Sequence, residues 1–336
     1  MGMDAQRLQE YSGLVNAIAN AYKRSQILFV ALEGNVFGNL AAGRDTAEAI
    51  AEATGWSQRG ARLLLDGLVA LELLAKENGR YRNLPVAEAC LVPGAPAWQG
   101  ELIRHTRGSW EAWSNLETCV RTGTSTNREE IRRQGEALRH FILGMKNIAS
   151  LSADQVLNAV DLGRYRHALD VAGGPGTYTI AFLKRYAGMR AALLDRPEVI
   201  EIARDEIRDA GVADRVTLIA GDCFETSWGG PYDLVFMSNI IHSFSYAQNA
   251  ELVRKAFDAL EPGGTLIIKD FLLENDRSGP AYGLIFALHM LVHTPAGDTY
   301  TFADAAAWTD AAGFEPGRAV PITPQTRLWI ADRPRG

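Results

Sequence analysis

The stretch Leu169-Asp170-Val171-Ala172-Gly173-Gly174-Pro175-Gly176-Thr177 constrains this chain more than any other. An apolar run leads into an acidic residue, and a glycine-rich turn follows at once. Beyond it, residues 178–186 (YTIAFLKRY) place apolar side chains at helical spacing. This reads as a strand, a tight turn and a helix start. Glycines there let backbone N–H groups at a helix N-terminus come close to a nucleotide-like ligand. The motif continues downstream. The run 191–194 ends in Asp195, nineteen residues beyond Gly176, and 216–220 runs into Gly221-Asp222-Cys223-Phe224. The run 232–238 leads to Asn239-Ile240-Ile241-His242; 265–268, after Glu261-Pro262-Gly263-Gly264, ends in Lys269-Asp270. Strand candidates that each end in polar residues predict an open parallel sheet binding its ligand at the C-terminal strand ends.

Two loop chemistries compete. A dinucleotide fingerprint needs Gly-x-Gly-x-x-Gly, and counted from Gly174 its last position is Thr179. The S-adenosylmethionine (SAM) loop, Asp-x-Gly-x-Gly-x-Gly, matches at Asp170, Gly174 and Gly176, with Ala172 at its first glycine. Asp195 suits ribose hydroxyls in either case, and its place before Pro197 also suits a helix start. Asp222 can accept from an adenine amino group or serve a local turn, and Phe224 can cover the ring. Cys223 also reads as a small packed residue.

With those residues on the page, the chain resembles the small-molecule O-methyltransferases of the plant caffeate and bacterial polyketide or phenazine type, a class I SAM-dependent family. The resemblance spans nearly all 336 residues. Asp-Val-Gly-Gly-Gly-Thr-Gly of the family appears as 170–176, Asp-x-Pro-x-Val-Ile as 195–200, and Gly-Asp-Met-Phe as 221–224. It implies a Rossmann-like SAM-binding α/β sheet over 161–336 and an all-α winged-helix dimerisation domain over 1–160, forming a homodimer. It implies cofactor contacts at Asp170, Gly173, Gly174, Gly176, Asp195, Asp222, Cys223, Phe224 and Ser238. Its catalytic histidine falls on His242 and the acid orienting it on Asp270, where plant members carry Glu. A substrate pocket is implied between the helix with Phe141 and Met145 and that with Phe286, His289, Met290 and His293. A second family glutamate is Thr299 here, and the plant Lys-Trp pair is Ser238-Asn239. These departures loosen the transfer of substrate identity.

Composition agrees with a water-soluble enzyme. The chain has 47% apolar residues, 34 basic residues against 40 acidic, and no stretch approaching 18 uninterrupted apolar residues. An acidic balance argues against a nucleic-acid surface and the last point against a membrane span. Cys90, Cys119 and Cys223 are too scattered for a disulfide framework or zinc site, and the amino terminus has no signal peptide, so a cytoplasmic protein is expected.

The first 160 residues read as helical. Apolar spacing predicts a helix over 21–36; Asp45-Thr46 caps 47–54, and Ser57 caps a helix reaching about Leu74. Asn78-Gly79 predicts a hairpin turn before a wing strand at 80–82. The recognition-type helix 58–71 offers only Arg59 and Arg62, less than a DNA reader presents. Long helices are expected over 98–120 and 129–160, and a linker over 161–167.

His242 is where chemistry is at stake. A phenol, with pKa about 10, is barely ionised at neutral pH, and a neutral imidazole can take its proton. Asp270 can hold the imidazole tautomer. His289 and His293 share a helix face, but no third metal ligand accompanies them, so they read as pocket walls. Alternatives within the fold are N-, S- or C-methyl transfer, or SAM binding without transfer.

Overall fold

The computed structural model describes residues 4–126 and 135–336, which pack as two compact units, Met1–Arg107 and Gly108–Gly336. The packing boundary precedes the expected 160/161 division because the helices after Gly108 pack onto elements of the second unit.

The first unit runs α1 (Ala5–Glu33), α2 (Val36–Ala41), α3 (Ala47–Thr54), α4 (Gln58–Ala70), β1 (Leu74–Glu77), β2 (Arg80–Asn83), α5 (Pro85–Cys90) and α6 (Gly100–Gly108). Thr46 and Ser57 hydroxyls accept from the backbone N–H groups of Ala49 and Gly60, capping α3 and α4. Asn78 and Gly79 both take positive φ, as a two-residue hairpin turn requires. Phe37, Ile50, Leu65, Leu68 and Tyr81 form the core. Two helix expectations need correction. The 21–36 helix starts sixteen residues earlier and stops at Glu33, where Gly34 caps it. Helix α4 ends at Ala70, because Glu72 takes φ 58° and Leu74 opens β1. Arg62 is engaged by Asp66, which also accepts from Lys76 and Tyr81. Along α1, Leu8, Tyr11, Val15 and Ile18 are exposed apolar side chains at spacings of three and four.

The second unit runs α7 (Trp110–Ser114), α8 (Leu116–Thr122), α9 (Gly135–Ala159), β3 (His167–Val171), α10 (Thr177–Arg185), β4 (Arg190–Asp195), α11 (Pro197–Asp209), β5 (Val216–Ala220), β6 (Tyr232–Ser238), α12 (Tyr246–Ala259), β7 (Leu260–Asp270), α13 (Ala281–His293), α14 (Phe302–Ala312), β8 (Arg318–Pro321) and β9 (Arg327–Asp332). The single helix expected over 98–120 is three, α6 to α8. Gly108, Ser109 and Asn115 have low helix propensity, and the Asn115 amide donates to Glu111 O in competition with the helix ladder. The expected start of the next helix at Glu129 lies outside the described residues. The expected linker 161–167 is a packed turn: Leu162 and Tyr165 are buried, and the Tyr165 hydroxyl donates to Thr265 Oγ1 at 2.8 Å.

The sheet order is β5-β4-β3-β6-β7-β9-β8. Strands β5 to β7 run parallel; β9 is antiparallel to both neighbours. Leu169, Val171, Val235, Met237 and Ile268 face a core shared with α12 and α14; Ala168, Leu234, Phe236 and Ile267 face one shared with α9, α10 and α11. Side-chain alternation fixes the strand ends accordingly. Asp170, Asp195, Ser238 and Lys269 fall on the α9–α11 face, and Asp270 on the other. Chain order reverses between β3 and β6, the position where open α/β sheets bind ligands.

Candidate active site

Asp170, in β3, is buried. Its Oδ2 accepts from Thr179 Oγ1 at 2.7 Å, while Oδ1 has no hydrogen-bond partner. Burial pushes its carboxyl up to about 7. A Cβ on Gly173 would lie 2.8 Å from Asp170 Cγ and 3.0 Å from Leu193 Cγ, so the turn admits no side chain there. Gly174 and Gly176 take φ 57° and 78°. Ala172 takes φ 53°, a left-handed conformation that costs an L-residue about 1–2 kcal/mol. Gly174 N donates to Asp195 Oδ2 at 2.8 Å and Arg196 N to Oδ1 at 2.7 Å, tying the glycine turn to the tip of β4. Burial also raises the Asp195 carboxyl.

Beyond β5, exposed Asp222 accepts from Phe224 N at 2.8 Å in a local turn. Cys223 is buried in the core, and burial pushes its thiol up to about 12. The Phe224 ring meets Phe244 edge-on at 4.8 Å. Ser238 Oγ, at the end of β6, is buried without a partner.

His242 lies in the 3-10 turn Ile241–Ser243 after β6. Its Nδ1 is 2.8 Å from Asp270 Oδ1, and both residues are buried. Asp270 Oδ1 also accepts from Phe271 N at 2.8 Å. A carboxylate at Nδ1 favours the tautomer protonated there and leaves Nε2 as acceptor. Phe286 stands edge-on to the imidazole at 4.9 Å, with Phe271 at 6.0 Å. Phe286 stacks on Tyr282 at 5.9 Å and on His289 at 5.3 Å. His293 lies 4.1 Å from His289, and Trp113 Nε1 donates to His289 Nδ1 at 3.2 Å.

Residues 117–315 match the O-methyltransferase domain, and residues 16–93 the O-methyltransferase dimerisation domain. The chain belongs to the O-methyltransferase family. It is 32% identical over 313 residues to a 3-hydroxy-5-methyl-1-naphthoate 3-O-methyltransferase of Streptomyces sahachiroi, covering 91% of this chain and 90% of that protein. It is 28% identical to the tetracenomycin polyketide synthesis 8-O-methyltransferase of Streptomyces glaucescens, covering 96% and 97%. The solved structure of human N-acetylserotonin methyltransferase in complex with SAM superposes with a TM-score of 0.89 at 26% identity, covering 99% of this chain and all of that one. The protein is a SAM-dependent O-methyltransferase.

The strand ends fit SAM. Buried polar atoms are normally hydrogen-bonded, and Asp170 Oδ1, Thr177 Oγ1 and Ser238 Oγ, at or beside the glycine turn and its neighbouring strand, have no partner within the protein. A Cβ on Gly174 would touch nothing within 4 Å, so the turn presents open backbone.

Helix α13 brings Phe286 against the imidazole, with His289 and His293 in line beyond it and Met290 buried on the same helix. Phe141 lies in a different cluster, with Leu138 and Ile142 against Val199 and Ile202 of α11; Met145 is half-buried on α9. Thr299 is buried, and its hydroxyl donates to Gly283 O at 3.1 Å, so it ties a loop to α13. Sequence reasoning missed Phe271 and Tyr282, whose rings complete the aromatic wall. It also missed Lys269, wholly buried, which donates to Asn239 Oδ1 at 3.1 Å with its ammonium over the Tyr178 ring. The aromatic spacing of Tyr282 and Phe286 on one helix was a usable signal for the wall; nothing local marks Lys269 as buried.

Proposed function

We propose that this O-methyltransferase methylates a hydroxyl of an aromatic or polyketide-like small molecule, with His242 as general base and Asp270 holding it. The reading rests on the buried 2.8 Å His242–Asp270 pair beside the Phe271, Phe286 and His289 rings. SAM, when bound, supplies a methyl group already activated on a sulfonium sulfur. Asp170, Gly173, Gly174, Gly176, Asp195 and Ser238 would hold it at the strand ends, with Asp222, Cys223 and Phe224 beside its adenine. Acceptor ionisation is the remaining difficulty. His242 Nε2 takes the hydroxyl proton while Asp270 stabilises the imidazolium that forms. The aromatic wall suits a flat acceptor, with Met290 and His293 further members of the pocket on α13, whereas Phe141 packs against α11 and Thr299 supports the wall through Gly283 O. The naphthoate, tetracenomycin and acetylserotonin named for the relatives support this class.

The segment up to Val160 serves as the dimerisation region of a homodimer, and 161–336 as the catalytic domain. No helix of the described residues is long and apolar enough to cross a membrane. The free cysteines Cys90, Cys119 and Cys223 fit a cytoplasmic setting.

Labelled SAM offered with phenols, amines and thiols should give label on phenolic oxygen; transfer to amines or thiols alone would overturn the acceptor class. His242→Ala should lower kcat roughly 10²–10⁴-fold with SAM affinity little changed, and Asp270→Asn should lose less. An acceptor already ionised at the assay pH should partly rescue His242→Ala. Near-normal turnover of an un-ionised phenol by that variant would remove His242 as base.

A further inference from the structure

The turn carrying His242 is gripped by a fully buried asparagine side chain. Asn249, in the first turn of α12, is 0% exposed. Its Nδ2 donates to Ile241 O at 2.8 Å and to Phe244 O at 3.4 Å, the carbonyls that bracket His242. The Tyr300 hydroxyl donates to the same Phe244 O at 2.6 Å; burial pushes its pKa up to about 12, so it remains a donor. A reciprocal capping box between Ser245 and Gln248 starts α12 and sets Asn249 in place.

The core around Asn249 gives no reason for an amide. Leu252, Val253 and Ala256 follow it on α12, all fully buried and apolar, and a buried asparagine is uncommon unless its hydrogen bonds are needed. The need lies in the turn. In the 3-10 turn Ile241–Ser243, Ile241 O accepts from Phe244 N at a long 3.3 Å, while Phe244 O accepts from the Asn249 and Tyr300 side chains, and buried carbonyls require partners. Asn249 thus adds a donor to the carbonyl before His242 and, with Tyr300, supplies the one beyond it.

We propose that Asn249, assisted by Tyr300, is a positioning residue for His242, fixing the imidazole against Asp270 and toward the acceptor. The proposal rests on the reading of His242 as the base. Neither residue touches the acceptor; they act only through the turn. Misplacement of a catalytic group by about 1 Å can cost on the order of 10²-fold in rate.

The test is a double-mutant cycle on the full-length protein. Asn249→Leu should lower kcat by roughly 10–100-fold while SAM affinity by calorimetry stays at the wild-type value. Its defect should shrink on an acceptor already ionised at the assay pH, which needs no base. In the His242→Ala background it should change kcat by less than about threefold, because the group it positions is gone. Losses that multiply in the double variant, or a defect as large on the ionised acceptor, would overturn the positioning role; so would wild-type kcat in Asn249→Leu. A His242→Ala variant with undiminished kcat would instead overturn the base reading, and the two failures are thereby distinct. If Asn249→Leu fails to fold, Tyr300→Phe, which removes one hydroxyl from the same carbonyl, runs through the same cycle with a smaller expected loss and the same overturning outcomes.

Discussion

Asp170 is a carboxyl held where ionisation costs most. It is buried, its Oδ1 lacks a partner, and its pKa rises from 3.8 to about 7, chiefly through burial and against the Thr179 hydrogen bond. Because the folded value lies above the unfolded one, the native state binds more protons between these two pH values. Stability therefore falls as pH rises through that window, and the full penalty, on the order of 4 kcal/mol, is present above about pH 7. Asp170→Asn keeps the shape and cannot ionise. The variant should be more stable than wild type at pH 8, with the gain vanishing toward pH 4, in thermal unfolding followed across pH. A Tm difference that does not change between pH 5 and pH 8 would show that ionisation of Asp170 does not destabilise the fold. On the proposed reading of Asp170 as a SAM contact, the variant loses a carboxylate beside a cationic ligand, so SAM affinity should fall even as Tm rises. Residues that weaken a fold where a ligand will sit are a recurrent trade between stability and function.

At the scale of elements, the segment between α13 and α14 closes on the His242 turn. A Cβ on Gly297 would fall inside van der Waals contact of His242 O, lie 2.5 Å from Thr294 Oγ1 and 3.2 Å from Ser243 C, so it would press on the backbone of the turn as well as on its own segment. Gly297→Ala should push that turn and lower kcat on the order of 10–100-fold, with SAM affinity retained. Wild-type turnover would show that the turn has room to move. What could be read of these elements in advance follows from their physics. Strands β3, β4, β6 and β7 announce themselves because each buried run carries a polar residue at or next to its C-terminal end, β5 because its run leads into Gly221-Asp222, and α3 because Thr46 caps it. The edge strand β8 carries no such signal, being mostly exposed, whereas β9 is a buried run that ends in Asp332. Helices α6 to α8 read as one because apolar spacing continues across Ser109 and Asn115, where side-chain and turn hydrogen bonds interrupt the helix. The His242–Asp270 pair was foreseen from two strand ends and a resemblance. Buried Asn249, Tyr300 and Lys269 were not, since each is an ordinary polar residue in sequence and only the tertiary fold buries it.

For the whole molecule, exposed apolar surface poses the remaining question. In the first unit Leu8, Tyr11, Val15 and Ile18 form a stripe along α1 at the three–four spacing of helix-packing seams; in the second, Tyr282, Ile285 and Leu288 are exposed on α13. Scattered apolar residues at a surface need no explanation, but a continuous stripe on a long helix that runs into the O-methyltransferase dimerisation domain, matched over residues 16–93, does. A second copy covers it most simply, because a two-fold interface uses the same patch twice and each substitution counts on both sides. Val15→Asp with Ile18→Asp then places four carboxylates in the shared seam. Light scattering should give a dimer mass for the wild-type protein at micromolar concentration and a monomer mass for the double variant. SAM binding should survive in the variant, since the glycine turn, Asp170 and Asp195 all lie in the second unit, which has a core of its own. A wild-type protein that is monomeric under those conditions would refute the homodimer. A variant that stays dimeric would move the interface off the α1 stripe and onto another surface.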